Sequence, residues 1–234
     1  MNKNILIVAI LIILAIASIF LFDIIIFTFF FSFYLLYRRE SIKIALIELF
    51  VIYFISFLFE FLGVNFGIPF GKYYYSNALG FKLFGVPFSV PFMWFSFVTL
   101  SFLIVKNSFL SPLLTVSIDL LMDPYMSNFG WFWQTKLFNF YYGIPLSNFI
   151  GWYVVSFILI QVLIRLSKSK IKSTEVFALF LYFLMLLIWL INDYFKGLYL
   201  AVAIGFILII MFFITFKKEF RLLLNAVGVR SLTR

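Results

Sequence analysis

The chain has 234 residues, 65% hydrophobic, 24% aromatic and 12% charged, with a mean hydropathy of +1.16. A soluble domain carries about a quarter charged residues, so there is too little polar surface to face water and the expected solvent is lipid. Cysteine and histidine are absent, which excludes disulfides, thiolate metal sites and the commonest haem ligand, zinc ligand and general base; acid–base chemistry falls to Asp, Glu, Lys or Tyr. The net charge of +9 sits in short runs between apolar segments. That pattern fits contact with lipid head groups and gives no reason to expect a nucleic-acid partner.

In chain order, the first apolar run is Ile5–Tyr37. As one helix it would measure about 50 Å at about 1.5 Å per residue, and crossing a core of about 30 Å would demand a tilt of about 50°. Two short spans with a turn near Asp23 are therefore expected. Lys3, the apolar stretch behind it and Ala15-Ile16-Ala17 also read as a signal peptide with its cleavage site. Six further runs of roughly spanning length follow: Ile42–Val64, Val86–Val105, Phe109–Met126, Asn148–Leu166, Val176–Asn192 and Leu198–Phe216. The expectation is an all-α, polytopic membrane helix bundle of about eight transmembrane helices, one integral membrane domain over 1–234. Seven helices result if the N-terminal run is a single span or is cleaved.

With eight spans both termini share a side, and of the 18 basic residues only Lys72, Lys82, Lys136 and Lys196 fall opposite. Such a bias places both termini in the cytoplasm of a cell-membrane protein. The opposite face then carries two long loops, roughly 65–85 and 127–147, rich in Gly, Pro, Tyr and Trp. Turns at Gly67-Ile68-Pro69, Gly85-Val86-Pro87 and Gly143-Ile144-Pro145 lie in or beside them. Pro fixes φ and Gly admits positive φ, so these loops are expected to hold a defined shape.

Of nine acidic residues, Glu40, Glu175 and Glu219 flank basic residues at helix ends, where solvated pairing is expected. Asp23 and Asp193 fall at expected outer turns. Glu48, Glu60, Asp119 and Asp123 lie within spans, where a carboxyl costs a few kcal/mol unless it faces the bundle interior, pairs or is protonated. Asp119 and Asp123 are four apart, so they share a helical face. Glu60 and this pair approach the outer ends of helices running the same way, and are expected to converge beneath the loops. Two close carboxyls in a dry site do not both ionise readily, so one is expected to keep its proton and serve as an acid. A buried polar network without chemistry is the other reading. Glu48 has no evident partner and no assigned role.

Asp119-Leu-Leu-Met-Asp123 is also a DxxxD, one half of the magnesium-diphosphate site of intramembrane prenyltransferases. The other half would have to be Asn192-Asp193, which lacks a second Asp at the required spacing. A lone DxxxD is a weak signal, and no metal is expected. Trp94, Trp131, Trp133, Trp152 and Tyr73-Tyr74-Tyr75 gather toward the outer boundary. They read either as an interfacial belt or as the lining of a groove for a long apolar ligand, where ring faces also stabilise positive charge.

Four stretches together resemble the carotenoid biosynthesis protein family that includes bisanhydrobacterioruberin hydratase, carotenoid 1,2-hydratase-like integral membrane enzymes. They are FEFLGVNFGIPFGKYYYS (59–76), GVPFSVPFMW (85–94), DLLMDPYMSNFGWFW (119–133) and YYGIPLSNFIGW (141–152). Order and spacing match from about residue 42 onward; Val64-Asn65-Phe66 departs mildly from the pattern between Gly63 and Gly67. The resemblance implies hydration of a terminal double bond in an acyclic carotenoid, lycopene-like or bisanhydrobacterioruberin-like, by a hydro-lyase that needs no cofactor. Its partners would be a lipid-soluble polyene, water, membrane lipid and neighbouring enzymes of the pathway. Protonation must come first, giving a tertiary carbocation that water captures. The residues expected to do this are Asp123 or Glu60 as proton donor, with Asp119 tuning it. Asn148, Tyr73 and Tyr75 would position water or the donor, and Trp94, Trp131 and Trp152 would line a polyene channel. A carotene cyclase, a carotenoid-binding scaffold and an intramembrane prenyltransferase are the alternative readings.

Overall fold

The computed structural model describes residues 21–167 and 175–221, with side chains from residue 26. The chain is all-α. Helix α1 is Leu21–Arg39, α2 Ile42–Phe66, α3 Val90–Val105, α4 Ser111–Met126, α5 Leu146–Leu166, α6 Val176–Phe195 and α7 Tyr199–Thr215. Three of these, α2, α5 and α6, are long and apolar enough to cross a membrane, and α3 and α7 are shorter apolar helices. The expected turn near Asp23 is not found, because Leu21–Arg39 is helical throughout. The first of the two short N-terminal spans and the cleavage-site reading fall outside the described residues.

Local chemistry sets the helix ends. Ser41 caps α2, its Oγ accepting from the Ile44 amide at 3.3 Å. Gly67, at φ 77°, closes the other end: its N–H donates to the Gly63 carbonyl and the following Ile68 N–H to the Leu62 carbonyl. Pro91 and Pro112 stand in the first turns of α3 and α4, where their missing N–H costs nothing. Asn107 supports the start of α4, its Oδ1 accepting from the amides of Phe109 at 2.8 Å and Leu110 at 3.0 Å.

Helices α3 and α4 form the centre of the bundle. The first packs against α1, α2, α4, α5 and α6, the second against α3, α5, α6 and α7. Helix α3 is apolar on all sides and buried almost throughout, as expected of a helix with no outer face. Helix α2 is the reverse of a water-soluble amphipathic helix. Its buried stripe is Ala45, Glu48, Ile52, Ser56, Glu60 and Gly63, while Phe50, Phe54 and Leu58 point outward, each more than half exposed. Small and polar groups inside with phenylalanines outside is the arrangement that suits lipid. At one end of the bundle Arg39 on α1 donates to Glu175 at the start of α6, at 2.6 Å and 2.8 Å, so this acid is partly buried rather than solvated.

At the other end the two long loops are joined. Strand β1 (Tyr73–Tyr75), from the loop after α2, pairs antiparallel with β4 (Trp131–Trp133), from the loop after α4. The register is Tyr73↔Trp133, Tyr74↔Phe132 and Tyr75↔Trp131. A second small hairpin, β2 (Lys82–Leu83) with β3 (Val86–Pro87), leads into α3. Asp193, expected at an outer turn, lies inside α6 and is fully buried. The helix continues to Phe195 and closes at Gly197, whose φ is 72°.

Candidate active site

Alternate residues of a strand share a face, so the β1–β4 ladder turns Tyr73, Tyr75, Trp131 and Trp133 the same way, down onto the helix ends. Both tyrosine hydroxyls donate to Oε2 of Glu60, that of Tyr75 at 2.6 Å. Both indoles donate to Oδ1 of Asp123, Trp131 at 2.5 Å and Trp133 at 3.2 Å. Each strand therefore serves one carboxyl. Trp94 on α3 donates to the remaining oxygen of Glu60 at 2.6 Å and stacks on Trp152 of α5 at 4.2 Å. Ser127, one helical turn after Asp123, adds a donor to Asp123 Oδ1 at 3.0 Å.

The third carboxyl is different. Asn148, in the first turn of α5, divides its amide protons between Asp119 Oδ2 at 2.8 Å and Asp123 Oδ2 at 2.7 Å. Asp119 Oδ1 is buried and has no hydrogen-bond partner among the described residues. Glu60 and Asp123 thus meet only donors, four groups on Asp123 and three on Glu60, whereas Asp119 keeps one bare oxygen. The Gly143-Ile144-Pro145 turn makes the bridge possible. Gly143 has φ 78°, and the Pro145 carbonyl accepts from the Asn148 amide at 2.9 Å, seating Asn148 at the helix start. Behind it the Tyr141 hydroxyl donates to the Leu120 carbonyl at 2.7 Å.

Glu60, Asp119 and Asp123 line one cavity of about 30 Å³, together with Tyr73, Tyr75, Trp94, Trp131, Asn148 and Trp152. The expected channel is absent from this conformation: the space is of the size that holds one or two waters. Trp94 and Trp131 face it as hydrogen-bond donors as much as apolar walls. Trp133, one of the rings expected at the outer boundary, also lines it, as do Phe70, Met93 and Met122. The last three were not anticipated, and nothing in their sequence neighbourhood marks them for a site. Glu48 lies twelve residues before Glu60 on α2, about 18 Å away, and neither its carboxyl nor that of Asp193 has a hydrogen-bond partner among the described residues. Burial, then the neighbouring Glu60 carboxyl, pushes the phenols of Tyr73 and Tyr75 well above their ordinary range. They stay donors at any ordinary pH. Among the described residues no group of three or more acids is arranged to hold a metal ion, and Asp123 is ringed by N–H and O–H donors, the wrong polarity for a neighbouring cation.

A family model described as "Carotenoid biosynthesis protein" matches residues 19–212. The chain is 33% identical over 128 residues to bisanhydrobacterioruberin hydratase of Haloarcula japonica, a stretch covering 49% of this chain and 41% of that protein. The match therefore spans less than half the length of that curated relative. No solved structure matches the chain at a significant level.

Proposed function

Since the chain belongs to the carotenoid biosynthesis protein family, we propose that it is a carotenoid hydratase, adding water to a terminal C=C bond of an acyclic carotenoid. The observation that carries this reading is the convergence of three buried carboxyls, with unequal hydrogen bonding, on a polar cavity of water dimensions. The name of the Haloarcula relative points to the same reaction.

The reaction needs a neutral acid, a way to stabilise a tertiary cation, and water. Asp119 is the better proton donor than either carboxyl expected from sequence, because its Oδ1 alone has no donor aimed at it and can carry a proton toward the cavity. Its proton passes to the CH carbon of a terminal isopropylidene group, and the neighbouring dimethyl carbon becomes cationic. Glu60 and Asp123, each held as an acceptor, place negative charge beside that carbon, and the ring faces of Trp94 and Trp152 add to it. Water in the cavity attacks the cation and loses a proton, which restores Asp119. The sum is alkene plus water to tertiary alcohol, and nothing is oxidised or reduced. A cavity of about 30 Å³ does not also hold the polyene end, so substrate enters by displacing the thioethers of Met93 and Met122, the most adaptable part of the wall. A polar, water-sized space favours hydration over cyclisation, which must keep water away from the same cation.

The test is expression in a host that makes an acyclic carotenoid, with pigments read by mass spectrometry. The wild-type chain adds one or two waters per pigment. Asp119→Asn abolishes that gain while the protein still accumulates, and Asp123→Asn and Glu60→Gln lower it. Unchanged pigment mass with the wild-type chain would falsify the hydratase reading, and full activity in Asp119→Asn would remove the donor assignment alone. The basic-residue bias further supports a cavity on the non-cytoplasmic side. Labelling of single cysteines in this cysteine-free chain, at position 82 against position 218, tests that topology.

A further inference from the structure

A second concavity lies at the other end of the bundle. A groove of about 480 Å³ runs between the end of α3, the first half of α4, α6 and the second half of α7. At the start of α4 it is formed by the capping residue Leu110 and by Leu113, Leu114 and Ser117, one face by their 3–4 spacing. Asp119 is two positions beyond Ser117, about 200° around the helix, so the groove opens on the side of α4 away from the carboxyl cavity. It does not extend that site.

The groove is apolar in effect although three hydroxyls line it. Ser117 donates to the Leu113 carbonyl, Tyr182 to the Leu114 carbonyl and Thr215 to the Met211 carbonyl, each at 2.8 Å. No hydroxyl proton is left to donate to a ligand's phosphate or carboxylate. Leu110, Leu113 and Met211 on its rim are each at least half exposed. At its end, sharing Thr215, is a second hollow lined by Lys217, Lys218 and Arg221. These three fall within about 100° of helix surface, with Glu219 turned away from Lys217 and Arg221. An apolar trough that ends in three exposed cations is complementary to one kind of molecule in a membrane.

We propose that this is a binding site for a single anionic phospholipid, one acyl chain in the groove and the phosphate against Lys217, Lys218 and Arg221. The proposal is independent of the reaction at the carboxyl cavity. Each basic residue near an anionic surface contributes roughly fivefold in affinity, so the three together give about a hundredfold preference over a zwitterionic lipid.

The test is native mass spectrometry of the full chain after incubation with mixed micelles of dioleoylphosphatidylglycerol and dioleoylphosphatidylcholine. The expected result is one phosphatidylglycerol retained per chain. The K217Q/K218Q/R221Q variant, melting as the wild type does, loses the preference but still takes up either lipid weakly. Leu113→Trp, which fills the groove, takes up neither. Equal retention of the two lipids by the wild type overturns the proposal, as does an undiminished preference in the triple variant. Release of the lipid by millimolar inorganic phosphate would make this a phosphate site without a chain. If removal of residues 222–234 were required for any lipid to bind, the chain's own end would be the occupant.

Discussion

Asn148 is the most informative residue to change, because its amide is the hydrogen-bond partner that the Asp119 and Asp123 carboxyls share. Asn148→Leu preserves size and removes both donors. Asp119 then has no hydrogen-bond partner at all, while Asp123 retains Trp131, Trp133 and Ser127 on its other oxygen. Leaving a buried acceptor unsatisfied costs about 1–3 kcal/mol, so the two freed oxygens together cost about 4 kcal/mol. For a chain of this length each kcal/mol lowers Tm by roughly 2–4 °C, and a fall of about 8–16 °C is expected in detergent. Product should fall further than stability explains, on the order of a hundredfold, because an acid displaced by about 1 Å loses that much. The assay pairs a melt of purified protein with the mass of host pigments. A melt within about 2 °C of wild type and undiminished hydrated product would show that the bridge neither holds nor orients the pair, and the reasoning would fail.

A methyl group at Gly151 would lie 2.7 Å from the Phe70 ring and 3.2 Å from the Pro69 backbone. Gly151→Ala should therefore cost about 1–3 kcal/mol and reduce product by shifting a cavity wall; an unchanged melt and product would contradict the packing. The raised phenols set an alkaline limit. Above pH about 10 the unfolded chain releases tyrosine protons that folded Tyr73 and Tyr75 retain. The stability they contribute is complete below that pH and is lost above it, so Tyr73→Phe should flatten the alkaline fall in Tm. Lys106 acts in the opposite sense. Burial first, then the nearby Arg39 charge, lower it to about 8, against a smaller opposing pull from Glu175. Its penalty is complete below pH 8 and relieved between about 8 and 10.5, where the unfolded chain binds the extra proton. Lys106→Met should raise Tm at pH 7 and not at pH 10.5, and equal gains at both would exclude the lysine as the cause.

The helices were legible because apolar runs of spanning length are long signals, and α2, α5 and α6 begin or end within a few residues of the runs that suggest them. The convergence of Glu60, Asp119 and Asp123 was legible from depth and the four-residue spacing. What the sequence concealed is which atoms the partners occupy. Nothing in Trp131 or Tyr75 distinguishes an aromatic belt from a donor aimed at a carboxyl until β1 is seen to pair with β4. That pairing joins residues about sixty positions apart through three-residue strands, too short to show alternation. The same contact made Asp119, and not Asp123 or Glu60, the carboxyl with a bare oxygen. Asp193 was misplaced because a charged residue near the end of an apolar run resembles a boundary, and here helical hydrogen bonding carried it past that boundary into the interior.

The ladder between the two loops makes roof and cavity wall a single part. Lifting β1 to admit a long molecule from above withdraws two phenols from Glu60, and through the register drags two indoles away from Asp123. For the hydratase proposed above, an entrance through the top would disarm the site each time it opened. On that proposal the polyene passes sideways, between helices, which leaves the ladder fixed throughout turnover. A covalent tether across Tyr74 and Phe132, whose side chains face away from the cavity, should then leave catalysis running.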